Sequence, residues 1–223
     1  ALVCGMSIDL GIATPDTTFE VPAVVKAGDD EVYDVDKRDY AMTMTMREIM
    51  RRSSNTGMVL VGSQVGADNF AKYIKKYRIG KKSGVDFPGE STGIVKKRDE
   101  YDGASVAAMS FGQSLSVSPV EIVRAMSAIA NKGIMTTPHF LKSCKGEEKD
   151  WTDGERRAVS EETAEQVADM MKTVVDEGTG KTGQVPGYDV SGKTGTAQRA
   201  SSDGGYQENS YMASFMGFAP TKD

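Results

Sequence analysis

Gly187-Tyr188-Asp189-Val190-Ser191-Gly192-Lys193-Thr194 can be built in two ways, and the choice sets the architecture of the chain. It satisfies the phosphate-loop pattern Gly-x-x-x-x-Gly-Lys-Thr, which requires a buried strand before it and a helix beginning at its Lys-Thr, so that backbone N–H groups point at phosphate. It can also be the first half of an extended strand that runs on through Gly195-Thr196-Ala197-Gln198. Its surroundings decide against the loop. Upstream lies the polar stretch Glu177 to Pro186, downstream Thr196 to Gly205 is studded with Gly and Ser, and no apolar strand ends in a metal-binding aspartate. What remains is a β-hairpin: Tyr188 to Arg199, a Gly/Ser/Asp loop over 200–208, and a return strand from Ser210 to Ala219 carrying Phe215 and Phe218.

Helical patterns precede the hairpin. Val167, Met170, Met171, Val174 and Val175 predict a helix over 161–177, with Ser160 before it and Glu161 and Glu162 in the first turn, where negative charge meets the positive end of the helix dipole. A second is predicted over 119–132: Ser118 caps it, Pro119 takes the first position, Glu121 completes a capping box, and Gly133 ends it. Ile122, Met126, Ile129 and Ala130 form its apolar stripe. Phe70, Tyr73, Ile74 and Tyr77 recur at helical spacing after Asp68, Gly80 is placed to stop that helix, and Lys72, Lys75 and Lys76 form its solvated face. Another pattern runs through Met46, Ile49 and Met50, breaks at Ser53-Ser54-Asn55, and resumes at Met58, Val59, Val61 and Val65. That tripeptide is therefore expected in a short connection between two helices. Residues 1–45 read as an irregular lead-in with short strands, 46–180 as mainly helical and 186–220 as the hairpin. With no repeat and no linker-like break, residues 1–223 read as a single α+β domain.

Composition excludes several functions. The chain has 27 basic and 32 acidic residues, a net charge of -5 with no basic stripe, so nucleic acid is not an expected partner. No apolar run reaches the roughly 18 residues that span a bilayer, so no membrane contact is expected within these residues, and Ala1 to Met6 lacks the basic flank of a signal peptide. Cys4 and Cys144 have no metal-ligand spacing; they are expected to be buried thiols, a single disulfide between them being the alternative, with no metal and no other cofactor. The lone His139 is expected to be structural, at the start of an extended segment.

The hairpin reading gives Lys193-Thr194-Gly195-Thr196 a chemistry. On an edge strand, the Lys193 ammonium and the Thr194 hydroxyl can hold a substrate carboxylate through charge-assisted hydrogen bonds. Gly195 leaves room for substrate along the strand, and the Thr196 N–H can donate to a developing oxyanion, an interaction worth about 3–4 kcal/mol. Ser53 offers a hydroxyl able to relay a proton, and Asn55 a donor and an acceptor that can orient a lysine and a substrate amide. A second Lys-Thr-Gly, Lys181-Thr182-Gly183, reads as a glycine-rich turn before Pro186.

Extended resemblance joins these pieces. Arg52-Ser53-Ser54-Asn55, Phe87-Pro88-Gly89-Glu90-Ser91, Phe111-Gly112-Gln113 leading into Ser118-Pro119, Gly178-Thr179-Gly180-Lys181 and Pro186-Gly187-Tyr188 are followed by Ser191-Gly192-Lys193-Thr194-Gly195-Thr196-Ala197-Gln198 and Ala213-Ser214-Phe215-Met216-Gly217-Phe218-Ala219-Pro220. In this order they make the chain similar to the transpeptidase domain of class B penicillin-binding proteins, especially the cell-division and sporulation branch. Gly11 to Phe19 also resembles the segment after the nucleophile helix in that family. The resemblance implies the fold shared by penicillin-binding proteins and serine β-lactamases, a helical subdomain plus an antiparallel sheet, here incomplete at both ends. It implies Ser53, Asn55, Lys193 and Thr196 as catalytic positions, and Thr194, Gly195 and Thr196 as substrate-binding ones. The implied activity is peptidoglycan D,D-transpeptidation. A Ser-x-x-Lys serine attacks the penultimate D-Ala carbonyl of a stem peptide, D-Ala leaves, and an amine from a neighbouring strand resolves the acyl-enzyme into a cross-link. Implied partners are stem peptides, β-lactam antibiotics and cell-division proteins. The implied location is the outer face of the bacterial cell membrane, the parent protein being anchored by a segment absent here.

No serine from Ser7 to Ser214 has a lysine three residues on. In the family that the chain resembles, the nucleophile lies a few residues upstream of where this chain begins and a strand and a helix follow where it ends, so the resemblance implies an internal fragment, expected to be inactive alone. The hairpin is expected to show an unpaired edge and an apolar face. The alternative of another class is a non-catalytic sensor or binding module that kept the fold and lost the nucleophile. The enzymatic alternatives are a D,D-carboxypeptidase or a β-lactamase relative, against which the division-type order of the motifs argues.

Overall fold

The apolar run at the start of the chain coils into a helix, α1 (Leu2–Asp9), in a computed structural model that describes residues 1–201 and 205–222. Val3 to Ser7 are all buried, so the helix has no polar face and no amphipathic stripe announces it. Four short strands follow: β1 (Thr18–Val21), β2 (Val24–Ala27), β3 (Asp30–Tyr33) and β4 (Met42–Thr45). β1 pairs antiparallel with β4, and β2 with β3 around Gly28, whose φ of +65° suits the tight turn. Residues 1–45, read as irregular chain with short strands, hold four short strands and, beyond that reading, one helix.

The helices that frame the site come next: α2 (Met46–Arg52), α3 (Asn55–Val65), α4 (Ala67–Lys76), α5 (Ser105–Ser110) and α6 (Pro119–Ala130). In α6 the expected capping box forms in full, Ser118 Oγ accepting from Glu121 N while the Glu121 carboxylate accepts from Ser118 N. The end of α4 departs from expectation. Gly80 does not stop it: the chain leaves the helix at Tyr77, Arg78 takes the left-handed conformation at φ +52°, and its N–H bonds to Lys75 O while Ile79 N bonds to Ile74 O. This is a Schellman ending with arginine where glycine is usual.

Four two-residue strands, β5 (Ile134–Met135), β6 (Ser143–Cys144), β7 (Glu147–Glu148) and β8 (Arg156–Arg157), lead to α7 (Glu161–Glu177). α7 has the expected bounds, with Ser160 Oγ accepting from Thr163 N. His139 lies outside any strand and stacks on Trp151, ring centroids 4.7 Å apart, instead of opening an extended segment. Cys144 is exposed, contrary to expectation, because β6 and β7 form a small hairpin with both strands in solvent; Cys4 is buried, and both thiols are free.

One buried apolar cluster runs from α1 through α2, α3 and α4 to α7. Val167, Met170, Met171 and Val174 of α7 are its centre, each fully buried and each contributing about 1.5–3 kcal/mol on burial. Beyond α7 lies the hairpin of β9 (Ser191–Ala200) and β10 (Tyr206–Phe218), antiparallel, with Lys193 opposite Met216 and Thr196 opposite Ala213. The strands reach further into the expected 200–208 loop than its composition suggested; residues 202–204 of that loop lie outside the described residues. Among the described residues β9 and β10 form a two-stranded sheet, and Tyr211, Met212 and Phe215 of β10 are exposed. Such a surface favours association. Sedimentation velocity of the 223-residue chain is expected to show a concentration-dependent rise in mass, which Met212→Lys should suppress; a monomer at every concentration would refute this.

Candidate active site

The turn between α2 and α3 is made by two serines in different conformations. Ser53 ends α2 at φ 58° and ψ 40°, left-handed backbone that a non-glycine residue seldom adopts, and its N–H bonds to Met50 O at 3.1 Å. Ser54 is extended and caps α3, its Oγ accepting from Gly57 N at 3.0 Å. Asn55 is the first residue of α3, and its Nδ2 donates to Tyr33 O at 2.9 Å, at the end of β3. The expected connection between two helices is there, with a strained residue at its apex.

Ser53 faces β9. Lys193 Nζ donates to Ser53 Oγ at 2.9 Å, to the Thr194 carbonyl at 2.9 Å and to Thr194 Oγ1 at 3.4 Å. Thr194 Oγ1 lies 3.0 Å from Thr179 Oγ1, in the turn that follows α7. Two motifs 140 residues apart thus meet in one hydrogen bond. Burial of the Lys193 ammonium pushes its pKa down to about 8. Among the described residues no carboxylate forms an ion pair with it. The lysine is therefore charged at neutral pH but able to give up and regain its proton in the range where enzymes work. Because Ser53 Oγ accepts from Lys193, its own hydrogen is left to point elsewhere. Beside it opens a cavity of about 500 Å³ lined by Val35, Arg51, Arg52, Ser53, Glu177 and Thr179, among others.

Of the residues expected to form the site, Ser53, Lys193 and Thr194 come into direct contact. Asn55 sits two residues beyond Ser53 and is tied to the Tyr33 carbonyl, with no hydrogen bond to Lys193. Gly195 and Thr196 continue along β9; a Cβ on Gly195 would approach Ser214 Oγ to 2.7 Å, and Thr196 is exposed. The phosphate-loop alternative fails on geometry, since β9 runs straight through Lys193-Thr194 with no helix there. Lys181-Thr182-Gly183 is a single 3₁₀ turn, as its composition suggested. In sequence Thr179 stands out only as a member of Gly178-Thr179-Gly180-Lys181, and Asp34 and Arg38, which lie under the Ser53 turn, belong to no motif. Their four-residue spacing and opposite charge were the available signal.

The sequence matches the family described as penicillin binding protein transpeptidase domain over residues 1–223. It is 40% identical over 185 residues to Stage V sporulation protein D of Bacillus subtilis, covering 80% of this chain and 28% of that protein. It is 33% identical over 224 residues to penicillin-binding protein PbpB of Mycobacterium tuberculosis, covering 95% of this chain and 33% of that one. The chain thus spans about a third of the length of these curated relatives. The crystal structure of penicillin-binding protein 3 from Mycobacterium tuberculosis complexed with ampicillin superposes with a TM-score of 0.92 at 31% identity, over 99% of this chain and 51% of that one.

Proposed function

This chain belongs to the penicillin binding protein transpeptidase domain family, and from that premise we propose that it forms the substrate-binding and proton-relay wall of a peptidoglycan D,D-transpeptidase. The observation that carries this reading is the 2.9 Å contact between Lys193 Nζ and Ser53 Oγ, made by a lysine that burial holds near pKa 8. Lys193 and Thr194 offer an ammonium and a hydroxyl to the carboxylate of a D-Ala-D-Ala stem peptide, or of a β-lactam that imitates it. The ampicillin complex of the similar Mycobacterium tuberculosis protein supports the second ligand class. As the scissile bond breaks, Ser53 passes its hydrogen to the departing amine and draws one from Lys193, which is made good by the proton that the attacking serine gives up, so that Ser53 is never left as an alkoxide and no net proton is lost. Asn55 holds the substrate amide, and the N–H of Thr196 donates to the oxyanion.

No Ser-x-x-Lys occurs among the 223 residues. In the proposed reaction the acylated serine comes from a part of the full-length protein outside them, and the chain alone is inactive. Stem peptides lie outside the cytoplasmic membrane, which places the action of the full protein there; among the described residues no helix is long and apolar enough to cross a membrane. Intact-mass measurement with a labelled penicillin tests this. The full-length polypeptide should gain one acyl group and the 223-residue chain none. An adduct on the chain alone would overturn the external nucleophile. Absence of an adduct on both would favour a non-catalytic sensor, and release of free acid in the presence of an acceptor amine would favour a hydrolase.

A further inference from the structure

The conformation of Ser53 needs an explanation that Lys193 does not supply. Left-handed backbone at a non-glycine residue costs about 1–2 kcal/mol, and such a residue persists when its surroundings over-determine it. Beneath the turn lies the carboxylate of Asp34, one residue beyond β3. Ser54 Oγ donates to it, at 3.0 Å from Oδ1 and 2.8 Å from Oδ2. Thr56 N donates to Oδ1 at 3.0 Å and Thr56 Oγ1 to Oδ2 at 3.2 Å. Arg38 closes the cluster, its Nη2 lying 3.4 Å from Asp34 Oδ2 and 3.1 Å from Thr56 Oγ1. The same guanidinium donates to Val21 O at 3.1 Å, to Pro22 O at 2.7 Å and to Tyr40 O. Asp34, Arg38, Ser54 and Thr56 are all buried.

A buried ion pair adds little to stability compared with well-packed apolar residues. Here the Asp34 carboxylate is engaged at both oxygens while Arg38 Nε is buried without a partner, so the constraint on geometry sits at the carboxylate, where a shift would leave a buried charge unpaired. The groups this cluster holds are the immediate followers of Ser53: Ser54 and Thr56 by Asp34, and Asn55 by the carbonyl of the adjacent Tyr33. On the α2–α3 side it is these bonds, together with the end of α2, that aim the Ser53 hydroxyl at β9. We propose that Asp34, itself clamped by Arg38, is a positioning residue that fixes the Ser53-Ser54-Asn55 turn so that Ser53 Oγ remains within hydrogen-bond reach of Lys193 Nζ. Its catalytic consequence rests on the acyl-transfer reading of Ser53 and Lys193.

The test uses Asp34→Ala, Asp34→Asn, Ser54→Ala and the Asp34→Ala/Ser54→Ala double variant in the full-length polypeptide, with a fluorescent penicillin as probe and the folded fraction measured for each. A misplaced relay group should lower the acylation rate constant about 10–100-fold, while the dissociation constant of the pre-covalent complex changes by less than about threefold. Asp34→Asn should recover part of the loss, and the double variant should lose less than the two single losses combined, because both substitutions remove the Ser54–Asp34 contact while Ser54→Ala also removes the α3 cap. A folded Asp34→Ala that acylates like the parent, losses shared equally between binding and rate, or additive losses would each overturn the proposal. Should Asp34→Ala not fold, Asp34→Asn and Arg38→Lys are read in the same way. If the parent itself is not acylated, the functional reading fails. NMR of the 223-residue chain then still decides the proposal: in Asp34→Ala the Ser53 backbone should leave the left-handed region, and in Asp34→Asn it should do so in part; a Ser53 unchanged in backbone and still adjacent to Lys193 in every folded Asp34 variant would overturn it.

Discussion

Lys193→Met in the full-length polypeptide is expected to slow acyl transfer about 10²–10³-fold, and the same substitution is expected to make the chain more stable near neutral pH. The loss follows from the contacts: methionine donates nothing to Ser53 Oγ or to a substrate carboxylate, and losing one such charge-assisted donor in a water-poor site lowers a rate about 10²–10³-fold. The gain follows from the sign of the pKa shift. Burial puts the folded-state value at about 8, below the ordinary lysine value of 10.5. Between those two values the unfolded chain binds more protons than the folded one, so this residue's contribution to stability rises with pH across that window. Below pH 8 both states are protonated and the folded state bears the whole desolvation penalty, about 3 kcal/mol for a shift of this size. Methionine keeps the alkyl packing and removes the charge, although it also forfeits the hydrogen bonds. A net gain of about 1–2 kcal/mol at pH 7 is therefore expected, shrinking as pH rises from 8 to 10. Urea unfolding of both proteins at pH 6.5, 8 and 9.5 measures this. A variant less stable than the parent at pH 6.5 would show that the hydrogen bonds outweigh the desolvation.

Gly133→Ala is expected to destabilise the fold strongly. Gly133 follows α6 at φ +86°, its N–H bonding to Ala128 O at 2.7 Å and its carbonyl accepting from Ala158 N at 2.9 Å. A Cβ there would lie 2.2 Å from Val159 O and 3.0 Å from Ser160 O. These are backbone atoms, so no side chain can swing away, and Ser160 is the cap of α7. Left-handed strain of about 1–2 kcal/mol and displacement of the α7 cap together predict a loss of about 3–5 kcal/mol. The denaturation midpoint should fall with little change in slope. A variant that unfolds at the parental midpoint would mean that the α6–α7 junction yields freely.

Much of the fold was legible because its signals are local. Ser118-Pro119 with Glu121 is a local start signal for α6, and Ser160 with Glu161 and Glu162 is one for α7. The hairpin, too, could be told from a phosphate loop by the polar stretch before it and the Gly and Ser after it. The features that escaped have a common cause. α1 is buried on every side and so carries no amphipathic period. Arg78, not Gly80, ends α4, because the hydrogen bonds of the last turn favoured a left-handed residue two positions earlier. Cys144 is exposed because its hairpin stands away from the core, which no property of cysteine reports.

The same division holds at the site. Sequence alone determined the residue types, their order, and through their resemblance the family: Ser53, Asn55, Lys193, Thr194, Gly195 and Thr196 could be named as candidates without coordinates. Only the tertiary structure decided that Lys193 reaches Ser53 and not Asn55, that burial brings its pKa to about 8, and that Asp34 and Arg38 lie beneath the turn. Motifs record which groups are available, and their spacing records local structure. A hydrogen bond across 140 residues and the desolvation of a charge depend on distances and surroundings that exist only after the chain has packed.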